Sequence, residues 1–334
     1  MTCFKLYSAC IPVRGASRSI ICNLVKGNFN YIPNTLYDIL ADYKNCNIEK
    51  IENDFDERSH KELHKHFNFL VENGFGFWCD KPEEFIDMEL DWDRSSPITN
   101  AIIDIDNLSK YDVSEVIRQL DNFRCEALQI RCFSVISIEE INRILSVTTE
   151  SNFISIELYL KYNPIYNESF LKDLCEKHKR IRFAIIHSSP EEKVISSDDD
   201  YYYAWFDKTE LKDESHCGNI SRKYFSPNIL LFTESQHFNN CLNRKISVDK
   251  EGNIKNCPSM LMSYGKIQNT SLKEALEKKG FTDNWIIKKD EIEVCKDCEF
   301  RYICIDCRAY TSDAKNKYSK PAKCTYDPYR TTWS

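Results

Sequence analysis

The 334-residue chain has no run of eighteen apolar residues, which excludes a hydrophobic membrane-spanning helix. It also lacks an excess of basic charge. Its 45 Lys and Arg stand against 52 Asp and Glu, a formal charge of −7, which argues against binding a nucleic-acid backbone as the main role. The two signs are interspersed, so the surface reads as acidic and solvated rather than as an acidic recognition face. The opening "MTCFKLYSACIPVRG" has polar residues inside its apolar run and no small-residue cleavage site. It is therefore not expected to be a signal peptide, and the expected compartment is the cytoplasm. No Gly-rich phosphate-binding loop occurs.

What is abundant is aromatic surface and cysteine. With 18 Tyr, 19 Phe and 42% hydrophobic residues, the chain has enough apolar surface for more than one core, and its length suggests two or three units. Sixteen cysteines in a reducing compartment point to metal ligation rather than disulfides. Nine of them are scattered between Cys3 and Cys217 and read as small buried hydrophobes; the other seven crowd the last third.

The pattern along the chain divides it into three parts. In residues 1–90, alternating runs "FKLYSACIPV", "RSIICNLVKG" and "NFNYIPNT" read as three antiparallel strands. Three helices follow: "NTLYDILADYK" with Asn34 or Thr35 as N-cap, "NIEKIENDF", and "SHKELHKHFNFLVENG" with Leu63, Phe67 and Leu70 on one face. After the linker "DWDRSSP", residues 97–235 alternate strands and helices of about twelve residues, the signature of βαβ units around a parallel sheet. The strands are "ITNAIIDID", "ALQIRCFSV", "FISIELYL" and "IRFAIIHSS", with "NILLFT" as a fifth. Four or five strands are too few for an eight-unit barrel, so a partial barrel or open sheet is expected. "SSDDDYYYAWFDKTELKDESHCGN" has no period and reads as a long loop. Residues 236–334 show little regularity beyond the helix "SLKEALEKKG".

That last part holds the cysteines in a pattern: Cys241-x10-Gly252-x4-Cys257, then Cys295-x2-Cys298-x5-Cys304-x2-Cys307, then Cys324. Gly252 in "DKEGNIKNC" reads as a hairpin turn that brings Cys241 and Cys257 together. A Cys-x2-Cys pair lets two thiolates from one turn converge on one centre, and backbone N–H groups of the turn offset the sulfur charge. Four thiolates suit either zinc or an iron–sulfur cluster, and spacing alone puts zinc slightly ahead, because zinc ribbons held by four cysteines are common.

This cysteine and glycine pattern resembles a SPASM domain, the twin-cluster module of peptide-modifying radical S-adenosylmethionine (SAM) proteins. The one departure is the two-residue gap between Cys304 and Cys307. The resemblance implies that Cys295, Cys298, Cys304 and Cys324 ligate one [4Fe–4S] cluster, and Cys241, Cys257 and Cys307 three irons of another. The fourth ligand is left to His237, to Cys217 or to an open site. Radical SAM enzymes carry Cys-x3-Cys-x2-Cys after the first barrel strand; here that loop reads "NLSKYDVSEV" and has no cysteine. No role for S-adenosylmethionine is therefore expected, and the middle part resembles a degenerate radical-SAM-like β/α barrel.

The N-terminal part resembles the winged-helix-like PqqD-type unit that recognises leader peptides. "NFNYIPNTLYDIL" matches that unit's third strand and first helix, so Phe29, Asn30, Tyr31 and Ile32 are candidate peptide-binding residues, through addition of the peptide to a sheet edge. A winged helix with a purely structural duty is the bland alternative. Taken whole, the α/β chain resembles the SPASM-domain peptide maturases of grasp-with-spasm systems. That implies a ribosomal precursor peptide and an ATP-grasp ligase as partners, with no nucleic acid and no membrane.

Three functions follow: a precursor-binding maturation protein with two [4Fe–4S] clusters, a non-radical redox enzyme acting on the precursor, or a zinc-binding structural adaptor. Other residues carry weaker signals. His60 and His64 share a helix face at i, i+4, as a solvated amphipathic face would also have them. "DDDYYYAW" reads as a loop that buries some tyrosines, and Cys3, Cys10 and Cys22 as buried thiols.

Overall fold

The structure, a computed structural model, describes residues 2–197 and 202–334. Its described residues form a mixed α/β fold with four sheets, of eight, three, two and two strands. No described helix is long and apolar enough to cross a membrane.

The first apolar run splits in two at a turn, where Cys10 N donates to Tyr7 O at 2.8 Å. The resulting strands are β1 (Cys3–Leu6) and β2 (Cys10–Val13), and β2 forms an antiparallel meander with β3 (Ser19–Asn23) and β4 (Asn28–Ile32). Three helices follow: α1 (Asn34–Asp42), α2 (Ile48–Asn53) and α3 (Glu57–Glu72). Asn47 and Asp56 cap α2 and α3 through their side chains. The expected cap of α1 is not made. Pro33 holds that place without a side-chain bond, while Asn34 accepts from Ser19 Oγ at 2.6 Å and donates to Gly15 O and Ala16 O. Leu63, Phe67 and Leu70 are buried on one face of α3, as its 3.6-residue period requires. After α3 comes a strand too short to show a period, β5 (Gly76–Cys79), which pairs antiparallel with β1.

The large sheet takes its strands from two parts of the chain. The strands β6 (Asn100–Ile105), β7 (Ala127–Cys132), β8 (Ser155–Lys161) and β9 (Ile181–His187) lie parallel. They are linked by α4 (Val113–Asn122), α5 (Ile138–Ser146) and α6 (Glu168–Lys177). Beside β9 lies β11 (Tyr203–Phe206), also parallel, with β10 (Lys193–Ser196) antiparallel beyond it. The region read as one long loop therefore contains a strand, whose Ala204 and Phe206 are buried in the main core; residues 198–201 of "DDDYYYAW" lie outside the described residues.

"NILLFT" is not a strand. It opens the helix α7 (Ile229–His237), where Asn228 accepts from Leu231 N at 2.9 Å and the Thr233 and Ser235 hydroxyls donate back to Ile229 O and Leu231 O. A short unbroken apolar run has no period to separate helix from strand, and here the polar residues around it decide. On the other side of the sheet, β12 (Lys245–Val248) runs parallel to β6 and turns at Gly252 into β13 (Ile254–Lys255). Gly252 has φ +80°, the left-handed conformation that the turn demands. The sheet thus runs across residue 236.

Strand alternation sorts the sheet's two faces. Ala101, Ile103 and Ile105 of β6, with Leu128, Ile130, Ile156, Leu158, Ile246 and Val248, pack into one core with α4 to α6. Each such aliphatic side chain contributes about 1.5–3 kcal/mol of burial. The alternate positions, among them Asp104, Arg131, Glu157, Tyr159 and Lys245, face the other way and make that face polar. The helix α8 (Leu272–Leu276) carries a capping box from Ser271 and Glu274 and adds Leu272 and Ala275 to the core.

The cysteine-rich segment lies against the N-terminal meander. Val13, Ile20, Cys22 and Leu24 share a core with Phe232, Phe300, Ile303 and Tyr326. Glu299, with a fully buried side chain, accepts from Arg18 Nε at 2.8 Å and from Tyr326 Oη at 2.6 Å.

Candidate metal centres

The seven cysteines of the last third, together with Cys217, fall into two sets whose charges interact. In the first, Cys241 feels Cys217, Cys257 feels both Cys241 and Cys217, and Cys307 feels Cys241 and Cys217. In the second, Cys295 feels Cys304 and Cys324, Cys298 feels Cys304, and Cys304 feels Cys324.

Local geometry explains the first set. Asn239 Oδ1 accepts from Cys241 N at 3.0 Å and Leu242 N at 2.9 Å, a side-chain turn that aims Cys241 inward. Asn256 Nδ2 donates to Leu242 O and Lys245 O, which ties the end of β13, and so Cys257, to the start of β12. Lys323 Nζ donates to the Cys217 carbonyl at 2.5 Å, and Cys217 N donates at 3.1 Å to Glu214 O, which also accepts at 3.2 Å from the hydroxyl of Ser259, two residues after Cys257. Gly218 then passes so close to Cys307 that a Cβ there would stand 2.9 Å from Cys307 Sγ, with φ +81° besides. His237, the other candidate, is exposed and bonds through Nε2 to Leu90 O at 3.0 Å. Cys217 is thus the residue placed with the set.

The second set is built on a tight turn, with Cys298 N donating to Cys295 O at 3.0 Å. Cys304 is anchored by Asn240 and Lys289, which donate to its carbonyl at 3.0 and 2.7 Å. Cys324 N donates to Pro321 O at 3.1 Å. Among the described residues no three Cys, His, Asp or Glu side chains close onto a point that one metal ion could occupy.

The electrostatics of both sets make the same demand. Burial pushes the thiols up, Cys257 and Cys295 to about 12 and Cys307 to about 11, so as free thiols they are neutral. Yet each set contains a lysine, the half-buried Lys245 with Nζ 3.6 Å from Cys241 Sγ, and the buried Lys289 with Nζ 2.7 Å from Cys304 O. Burial favours the neutral amine, and only sulfurs in the thiolate form, with Asp306 as well at Lys289, would outweigh it and hold both lysines up. Among the described residues neither Nζ has a carboxylate within 4.0 Å. A buried cation without an anion is destabilising by several kcal/mol. A metal that keeps the sulfurs deprotonated supplies that anion, so the donor sets fit a thiolate-bound centre. The lysines carry no spacing signal and were not legible as site residues.

The polar face of the sheet reaches the first set. Arg131 bonds Asp104 and its charge also reaches Cys217 and Cys257, as does that of Tyr159 to Cys217. The cysteine-free loop after β6 is fastened by Ser109 Oγ to Lys250 O at 2.7 Å and by Tyr111 Oη to Asp104 O at 2.5 Å.

At the N-terminal unit, β4 is an edge strand. Its Phe29 and Tyr31 rings are turned to Phe300, at 5.7 and 6.1 Å, and Arg18 stacks 3.8 Å over Tyr31. Ile32 is buried and Asn30 half-buried. An apolar groove of about 300 Å³ lies elsewhere on this unit, between β1, β2 and α1, lined by Leu6, Tyr37, Leu40, Met88 and Leu90. The histidines of α3 are engaged on its surface: His60 with Glu52 O at 2.9 Å and His64 with Glu52 Oε1 at 2.7 Å.

No family model matches the chain, and no curated protein matches it. Among solved structures it is similar to the crystal structure of Streptococcus suis SuiB bound to S-adenosylmethionine. The identity is 10% and the TM-score 0.43, over 96% of this chain and 99% of that one. A second crystal structure of Streptococcus suis SuiB gives 12% identity and a TM-score of 0.35 over the same shares.

Proposed function

We propose that this chain is a maturation protein for a ribosomally synthesised, post-translationally modified peptide. It binds the precursor, carries two [4Fe–4S] clusters and acts with an ATP-grasp ligase. Cys217, Cys241, Cys257 and Cys307 hold one cluster; Cys295, Cys298, Cys304 and Cys324 hold the other. The observation that carries this reading is the sorting of eight cysteines into two sets of four, each with a lysine, Lys245 half-buried and Lys289 buried, that has no carboxylate within 4.0 Å among the described residues. When bound, such clusters supply one-electron transfer.

The precursor is taken up at the N-terminal unit. With the Phe29 and Tyr31 rings committed to Phe300, recognition at β4 uses its backbone edge, and side chains of the peptide supply specificity. S-adenosylmethionine has no part in this reading, since residues 106–112 contain no cysteine to hold the cluster that would bind it. A second reading, a redox step on the precursor, is favoured by Arg131 and Tyr159 of the polar face lying within electrostatic reach of Cys217.

The test is anaerobic purification of the full chain with iron supplied, followed by iron, sulfide and zinc analysis and titration with a fluorescent precursor peptide. About eight irons and eight sulfides per chain with saturable peptide binding is the expected result. Zinc with negligible iron would make the chain a zinc adaptor, and absence of peptide binding would remove the maturation role.

A further inference from the structure

Lys245 and Lys289 occupy equivalent places in the two cysteine sets. Lys245 lies on β12, where Ile246 and Val248 enter the helix-side core and alternation turns Lys245 to the opposite face, onto Cys241 Sγ at 3.6 Å. Lys289 starts a short 3₁₀ turn and is 4% exposed; its Nζ donates to Cys304 O at 2.7 Å and Ile305 O at 3.2 Å. Asp306, whose charge also reaches Lys289, is bound instead by Arg308 at 2.7 Å and Asn239 at 2.6 Å. Lys245 therefore has a sulfur-directed bond, Lys289 is fixed on two carbonyls beside Cys304, and neither ammonium has a carboxylate within salt-bridge distance among the described residues.

We propose that Lys245 and Lys289 are the fixed counter-charges of the two metal centres, one each, and that each raises the midpoint potential of its own centre. This rests on the cluster reading above and assigns the residues that tune it. Reduction adds a negative charge to a cluster. A buried cation on a ligand sulfur stabilises that added charge in a low-dielectric site, where water cannot screen it. Both lysines are held by backbone geometry, one by strand alternation and one by two carbonyls, so their charges keep their position in both oxidation states.

The experiment is a potential titration followed by EPR on the anaerobically loaded full chain, with Lys245→Met, Lys289→Met and the two Lys→Arg variants. Lys245→Met should lower one midpoint by a tenfold change in the reduction equilibrium, about 59 mV for one electron, and leave the other in place. Lys289→Met should do the reverse, and the Arg variants should stay close to the parent. Either Met variant with full iron and parental midpoints overturns the proposal, as does movement of the same midpoint by both. Should the Met variants fold but hold no iron, retention of iron by the Arg variants supports the charge role, and its loss there too overturns it. A parent chain that binds no iron overturns the cluster reading, and the proposal with it.

Discussion

Arg131 grips Asp104 with two hydrogen bonds, of 2.6 and 2.7 Å, directly across β7 and β6 and with both side chains more than nine-tenths buried. The bidentate geometry is that of an ion pair, and Asp104 holds the Arg131 charge in place against burial. Asp104→Asn leaves the guanidinium buried with no anion and with one of its two acceptor oxygens replaced by an amino group. It is expected to lower stability by about 3–5 kcal/mol, while the double change Asp104→Leu, Arg131→Met costs less. Urea unfolding of the three chains decides between these.

Cys217 and His237 make opposite predictions. Cys217→Ala should lower the iron content of the anaerobically loaded chain and alter its EPR signal, because it removes one of four thiols in its set. His237→Ala should leave both unchanged, since that ring bonds Leu90 O at the surface. Equal iron in the two variants would count against Cys217 as a ligand.

Gly218→Ala tests the packing of the same set without touching a sulfur. The new Cβ would meet Cys307 Sγ at 2.9 Å in a backbone with φ +81°. A cost of about 1–3 kcal/mol is expected from the conformation alone. Displacement of Cys307 should also lose iron from that centre only, seen as the loss of one of two EPR signals.

His187 links stability to pH. Burial lowers its affinity for a proton although its Nε2 bonds Cys132 O at 3.0 Å, and Leu211 N approaches Nδ1 at 3.4 Å. With the folded value below the unfolded one of about 6.5, the unfolded chain binds more protons as pH falls below 6.5, and folding weakens. The limit is about 1.4 kcal/mol per pH unit, and above 6.5 the effect vanishes. Glu234, pushed up to about 7 by burial, acts in the opposite sense over the same window. The informative measurement is therefore the difference in urea midpoint between the parent and His187→Asn at pH 5.5 and 7.5. The parent should lose more on acidification.

The elements that could be read before the structure were those whose periodicity lies within a single segment. The helices α3 to α6 and strands β6 to β9 bury the residues their 3.6- and two-residue patterns single out. The Gly252 hairpin was equally legible, because a turn with positive φ needs glycine at one position. The short elements were not. "NILLFT" is apolar without a period, and β5 and β11 span four residues each, so neighbours rather than pattern decide their state.

By itself the sequence determined the number and spacing of the clustered cysteines, the absence of a thiol in residues 106–112, and the alternation that makes one face of the sheet apolar. Only the tertiary structure decided that β12 joins β6 and that Cys217 comes to Cys307. It also decided that Lys245 lies against Cys241 Sγ and that Lys289 is buried on the Cys304 carbonyl, neither with a carboxylate within 4.0 Å among the described residues. The reason is physical: local periodicity records which side of an element is buried, whereas charge and sulfur gathered from residues 217 to 324 meet only after the chain has closed.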